Sequence, residues 1–243
     1  GRSLMRALVI CAHPDDVELT CAGTLIKLVA MGYSAGVIAL TSGEKGTRGS
    51  AEDRRAEFEA ASRIMKLTVH KILSLPDGNI EVTWENKIKV IQEIRSLKPK
   101  IVFLPYWEDR HPDHVHTGNL VGEACFLSGL KKVETGQEVY RPRKLIYYMC
   151  HYEFEPSFVV DVSAHFEKKL QAIRAYKSQF YFAETDNAAT EKIFISTQQF
   201  LEGIITRAKY YGSRIGVEYG EPFLIRETME IADPVSFFEK SYF

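Results

Sequence analysis

Ala7-Leu8-Val9-Ile10-Cys11-Ala12-His13-Pro14-Asp15-Asp16 is the stretch that decides the architecture. A short apolar run near the N-terminus reads as a buried strand, and the polar residues behind it fall in the loop at its carboxyl end. Open parallel sheets hold their ligands at that end. His13 offers an imidazole and Asp16, three residues on, a carboxylate. That pairing suits a divalent metal of the zinc type and leaves Asp15 unengaged between them. Taken alone, the same residues also describe a turn followed by a helix cap, so a second cluster is needed to decide the matter.

Downstream, strand-like and helix-like periods alternate. Residues 23–31 read as a helix, 34–40 as a strand, 44–50 as a polar glycine-bearing loop and 51–66 as an amphipathic helix. A third strand over 70–75, a helix over 84–97 and a fourth strand over 101–105 follow. Residues 109–116, Asp109-Arg110-His111-Pro112-Asp113-His114-Val115-His116, form the loop after that strand. Helices are expected over 117–130, 164–177 and 196–211, strands over 145–149 and 158–162, and a lid-like irregular stretch over 181–190. This order predicts right-handed crossovers in an α/β three-layer, Rossmann-like sandwich with a mostly parallel sheet. Residues 1–243 form one domain in this reading, and both histidine clusters emerge at the carboxyl ends of strands 1 and 4.

Composition narrows the function classes. The 31 Lys+Arg against 32 Asp+Glu leave a net charge of -1, so no global field favours nucleic acid or a membrane surface. The four cysteines form no CxxC pair and read as reduced core thiols. No leading segment has signal-peptide flanks and no apolar run approaches a bilayer-crossing length, so a cytoplasmic location is expected.

Two clusters behind two separate buried strands point to a metal centre with catalytic groups around it. His13, Asp16 and His114 are the three expected ligands, which leaves coordination positions for water and substrate. Zinc is the default, although iron, cobalt or nickel suit the same donors. Asp15 is then placed as general base. His111 is expected to act as an imidazolium that stabilises an oxyanion, with Asp113 holding it charged through a hydrogen bond. Arg110, and either Arg54 or Arg55, are candidates to clamp a substrate carboxylate. His151, just past the fifth strand, is expected at the pocket mouth, and His116 as a surface or cap residue.

At AHPDDVE and HPDH the sequence resembles the LmbE-like, or PIG-L, family of zinc-dependent N-acetylglucosamine deacetylases. Residues 41–52, 124–130, 176–180 and 215–219 look like its bacillithiol-pathway branch, whose members deacetylate N-acetylglucosaminyl malate. The resemblance implies the same roles for His13, Asp15, Asp16, His111 and His114, and substrate contacts for Arg110 and for Arg54 with Glu57. It also implies a homo-oligomer, trimeric or hexameric. The function expected is metal-dependent hydrolysis of the N-acetyl group of N-acetylglucosaminyl malate. Deacetylation of another N-acetylglucosamine substrate is the alternative, and sugar binding without catalysis a further one.

Overall fold

The computed structural model describes residues 4–180 and 198–239. Seven strands, β1 (Ala7–Cys11), β2 (Ala35–Ala39), β3 (Val69–Ile72), β4 (Ile101–Pro105), β5 (Lys144–Tyr148), β6 (Phe158–Asp161) and β7 (Gly220–Leu224), form one sheet in the order β3-β2-β1-β4-β5-β7-β6. The pairs β1 with β2, β2 with β3, β1 with β4 and β4 with β5 are parallel, whereas β7 runs antiparallel to β5 and β6. The α/β sandwich with a mostly parallel sheet is therefore as expected.

β1 is buried along its whole length because both its faces are covered. Ala7, Val9 and Cys11 join a core with residues of α2 (Ala22–Ala30), α3 (Ala51–Met65), α6 (Phe166–Arg174) and α7 (Gln198–Ser213). Leu8 and Ile10 join the opposite core, with Ile91 and Ile94 of α4 (Trp84–Leu97) and Leu120 and Val121 of α5 (Pro112–Leu127). Alternation along one strand thus assigns the two helical layers. The chain leaves β1 toward β2 and β3 on one side, and β4 and β5 lie on the other. The carboxyl ends of β1 and β4 therefore flank the crevice where strand order reverses, the place such sheets bind ligands.

Several elements differ from the sequence reading. The HPDH cluster is not in a loop ahead of the helix, because α5 starts at Pro112 with His111 as its N-cap. Proline at the first helical position and Asp113 in the first turn both favour that start. A one-turn helix, α1 (Asp16–Leu19), follows directly on Asp15. The apolar piece at 222–225 belongs to β7, whose Glu221 accepts from the N–H groups of Gly23 and Thr24 at the start of α2. Glu221 also pairs with Lys169, and Lys169 Nζ donates to the Thr20 carbonyl. This buried network fastens the turn behind the first cluster to β7 and α6. The predicted helix over 164–177 is shorter, a 3-10 turn at Ser163–His165 leading into α6. The lid expected at 181–190 lies outside the described residues. Among the described residues, no helix is long and apolar enough to cross a membrane.

Candidate active site

The first cluster is held by its own backbone. Asp16 Oδ2 accepts from the His13 N–H at 2.8 Å, which closes the loop onto itself. Asp15 adopts φ 94°, a left-handed conformation that costs a non-glycine residue about 1–3 kcal/mol. Such strain persists only where surrounding contacts hold it, and Arg54 supplies one. Its Nη2 donates to Asp15 Oδ2 at 3.1 Å, and its Nη1 donates to the Gly43 carbonyl at 3.1 Å. Arg54 is buried and Arg55 exposed, which settles the choice the sequence left open. The glycine loop exists to admit this guanidinium: Gly43 has φ 69°, and a Cβ there would lie 2.6 Å from Arg54 Nη1. α3, which carries Arg54, starts with a capping box between Ser50 and Asp53. Such caps add about 1 kcal/mol and fix where a helix begins.

Three donors converge. One ligand atom each from His13, Asp16 and His114 lies within 4.8 Å of the others, and all three residues are buried. Orientation selects the atoms. His13 Nε2 is taken by Asp113 Oδ2 at 2.9 Å and Asp77 Oδ1 at 3.1 Å, leaving Nδ1 toward Asp16. His114 Nδ1 is taken by Asp109 Oδ1 at 3.0 Å, leaving Nε2 toward Asp16 Oδ1 at 3.2 Å. Two imidazoles, each backed by a carboxylate on its far nitrogen, and one carboxylate make the donor set of a divalent transition metal. The residues therefore fit the metal. His13 with His111 and Asp113 is a poorer set, because Asp113 already accepts from the Gly78 and Ile80 N–H groups. Asp109 with His114 and Cys150 is likewise spent, since Asp109 accepts from the N–H groups of His111 and His151.

The expected pairing of Asp113 with His111 is overturned. The Asp113 carboxylate serves His13 and two backbone N–H groups, while its own N–H donates to His111 Nδ1 at 3.2 Å. With Nδ1 accepting, neutral His111 carries its proton on Nε2. Burial lowers the pKa of His111, and the neighbouring His13 and His114 lower it further. The imidazolium expected from the sequence is therefore replaced by a neutral imidazole that donates from Nε2. The His111 ring lies 4.8 Å from that of His13 and 4.9 Å from that of His114.

Charge is distributed unevenly between the adjacent aspartates. Burial raises Asp15 to about 6, against the pull of Arg54. Burial alone would raise Asp16 too, but the charges of His114 and His13 and their hydrogen bonds hold it well below the usual carboxylate range. Asp15 is thus the carboxylate able to take up and release a proton near neutral pH, whereas Asp16 stays ionised. Beneath them Glu18, pushed up to about 8 by burial, is neutral at pH 7.

The site opens into a cavity of about 370 Å³ lined by the ligands, Asp15, Arg54, His111, Arg110 and His151. His151 stacks on His114 at 5.6 Å and meets Asp109 Oδ1 through Nδ1 at 2.9 Å. Glu57 does not meet Arg54; it accepts from the N–H and hydroxyl of Ser178, which holds Gln179 at the cavity wall. His116 donates to or accepts at no cavity group and meets the Ile80 carbonyl, a structural contact. The residues without an expected role are Asp77, Asp109, Lys45 and Arg207. Asp109 sat in the quoted cluster, and its position two residues before a histidine cap was the available signal. Asp77, in a Pro-Asp-Gly turn, and Arg207, on a distant helix, gave none.

Three comparisons with known proteins agree with this geometry. The family model PIG-L, described as GlcNAc-PI de-N-acetylase, matches residues 8–125. A diacetylchitobiose deacetylase of Thermococcus kodakarensis is 31% identical, with 89% of this chain and 81% of that protein aligned. A probable N-acetyl-alpha-D-glucosaminyl L-malate deacetylase 2 of Bacillus anthracis is 29% identical over 71% of this chain and 80% of its own length. The crystal structure of a conserved protein from Thermus thermophilus superimposes with a TM-score of 0.85 at 35% identity, covering 94% of this chain and 98% of that one. With a buried His-Asp-His cluster at the sheet's switch point and a relative this similar along nearly the whole chain, the protein belongs to the PIG-L family of deacetylases.

Proposed function

We propose that the protein is a cytoplasmic, zinc-dependent deacetylase that hydrolyses the N-acetyl group of a glucosamine conjugate bearing an acidic aglycone, of the N-acetylglucosaminyl malate type. The observation that carries this is the lining of the cavity, which includes Lys45, Arg110 and Arg207 beside the aspartate and histidine groups. A neutral sugar has no need of three cations, whereas a dicarboxylate finds bidentate partners among them. Arg54 is held between Asp15 and the Gly43 carbonyl, so aglycone recognition is assigned to Lys45, Arg110 and Arg207, the last of which also donates to the Cys150 carbonyl.

His13, Asp16 and His114 would hold a divalent metal, which when bound would supply Lewis acidity and lower the pKa of water. Asp15, with its pKa near neutrality, accepts the proton of the attacking water. Arg54 keeps the Asp15 carboxylate aimed and ionisable. His111 donates from Nε2 to the oxyanion that develops on the acetyl carbonyl. Asp113, through His13 and the 78–80 backbone, fixes ligand orientation. As the carbon–nitrogen bond breaks, Asp15 returns its proton to the amine, giving acetate and the glucosamine conjugate with a free amine and its aglycone intact.

A second reading takes diacetylchitobiose as substrate, and the Thermococcus relative supports it. Primary-amine release from N-acetylglucosaminyl malate, diacetylchitobiose and free N-acetylglucosamine at equal concentration separates the two. A preference for the malate conjugate that is lost in Arg207→Ala or Lys45→Ala supports the acidic aglycone; a preference for diacetylchitobiose rejects it.

A further inference from the structure

Glu57 and the stretch Tyr176-Lys177-Ser178-Gln179-Phe180 take no part in the reaction described above, and the structure joins them. The stretch follows α6 as a tight turn, in which the N–H groups of Gln179 and Phe180 both donate to the Tyr176 carbonyl. Its side chains are anchored one after another. The Tyr176 hydroxyl donates to Glu18, the Ser178 N–H and hydroxyl donate to the two Glu57 oxygens at 2.8 Å each, and Phe180 stacks on Phe200 of α7. Gly49 admits the turn, because it has φ 75° and a Cβ there would lie 2.6 Å from Ser178 Oγ.

Within this fixed turn the Gln179 amide is only half used. Its Nε2 donates to the Arg48 carbonyl and, at 2.9 Å, to Ser178 Oγ. A carbonyl accepts and cannot donate, so the amide nitrogen faces Arg48 and the amide oxygen faces away from it. Among the described residues no group donates to Oε1. The side chain is 1% exposed and borders the cavity of the metal site, so a donor that reaches Oε1 comes from within that cavity. A buried acceptor without a donor is costly, and an occupant that supplies one is favoured.

We propose that Gln179 Oε1 accepts a hydrogen bond from a hydroxyl of the glucosamine ring, with Glu57 and Ser178 as the positioning residues that set it in place. This rests on the deacetylase reading above and on neither choice of aglycone. The chemistry of the cavity divides the substrate. Lys45, Arg110 and Arg207 only donate, and the carboxylates of an acidic aglycone only accept, so these match each other. Gln179 Oε1 only accepts, and it matches the part of the substrate that carries O–H groups. The acetamide belongs to Asp15 and His111, and the Gln179 amide bonds to neither of them, nor to His13, Asp16 or His114. Arg54 and Glu57 stand three residues apart on α3, hence on one face of it. That face aims the base through Arg54 and the ring acceptor through Glu57, which fixes the span between the reacting amide and the sugar contact.

Amine release by the wild type and by Gln179→Leu tests this. The substrates are N-acetylglucosaminyl malate and diacetylchitobiose and, for the better of the two, analogues that each lack one hydroxyl of the reacting sugar. The wild type is expected to lose about 3- to 10-fold in kcat/KM on one analogue, the worth of one neutral hydrogen bond. Gln179→Leu is expected to lose a similar factor on each parent substrate that the wild type accepts. It should also handle that analogue and its parent alike, because the partner of the missing hydroxyl is gone. A general disturbance of the cavity would lower every rate and leave the preference for the hydroxyl in place. Ser178→Ala, which removes the hydroxyl that braces the Gln179 amide, is expected to show part of the same lost preference, and it carries the comparison if circular dichroism finds Gln179→Leu unfolded. A wild type indifferent to every hydroxyl, a variant that keeps the wild-type preference, or a loss confined to the malate conjugate would overturn the inference and leave the deacetylase reading standing. A wild type that releases amine from neither substrate would overturn both.

Discussion

Replacing Asp109 by asparagine is expected to weaken divalent-metal binding by about 10- to 100-fold although Asp109 is not itself a ligand. Its Oδ1 meets His114 Nδ1 at 3.0 Å, His151 Nδ1 at 2.9 Å and the His111 N–H at 2.9 Å, while Oδ2 accepts from the His151 N–H at 2.7 Å. An asparagine oxygen in the Oδ1 position keeps the first three as neutral bonds. Its amide nitrogen then faces the His151 N–H, donor against donor, at a cost of about 1–3 kcal/mol in stability. The affinity loss corresponds to about 1.4–2.7 kcal/mol, because His114 loses the anion that orients it and makes it more basic. The pH dependence has a defined sign. Burial would raise the Asp109 carboxyl, but the hydrogen bonds from His114 and His151 hold it well below the usual range in the folded state. The unfolded chain therefore binds the extra proton, so this stabilisation is complete above about pH 4 and is lost as pH falls further. Competition with a chromophoric chelator measures the affinity, and urea unfolding at neutral and acid pH measures the stability. The variant should lose stability at neutral pH and show a shallower acid decline. Metal affinity within about twofold of wild type together with an unchanged urea midpoint would refute the reasoning.

Further outcomes follow from the same geometry. Asp15→Asn should keep its metal and lose turnover by about 10²- to 10⁴-fold, and retained turnover would reject Asp15 as the base. His114→Ala should lose the metal itself, and unchanged metal content by elemental analysis would reject that ligand. Activity should rise with pH as Asp15 ionises; a bound cation favours the ionised form, so the acid limb of kcat/KM should have its midpoint at or below about 6. A midpoint clearly above that value would point to a different titrating group. Gly43→Ala should destabilise the chain by at least about 1–2 kcal/mol, from the left-handed backbone alone. Its added Cβ, 2.6 Å from Arg54 Nη1, should also displace the guanidinium from Asp15 and lower kcat more than it raises KM.

The sequence by itself determined the layering and the place of the site. The apolar run at 7–11, the alternating periods after it and the two histidine clusters behind β1 and β4 are local signals, and they implied a parallel sheet with a metal cluster at one edge. Local chemistry also showed where errors would fall: the proline and aspartate after His111 belong to a helix start, and reading them as loop delayed α5 by several residues. Only the tertiary structure decided which carboxylate serves which histidine. Asp113 reaches across to His13, not to His111 two residues away, because the start of α5 turns its side chain toward the 78–80 backbone and the first loop. Asp77 joins it from a turn that nothing in the sequence connects to the cluster. Arg54 rather than Arg55 faces inward because the glycine loop closes over one phase of α3. β7 enters antiparallel between β5 and β6, and its Glu221 locks the start of α2. Periodicity reports which face of an element is buried, whereas the pairing of polar groups depends on how loops distant in sequence meet, and that is fixed only when the sheet has closed.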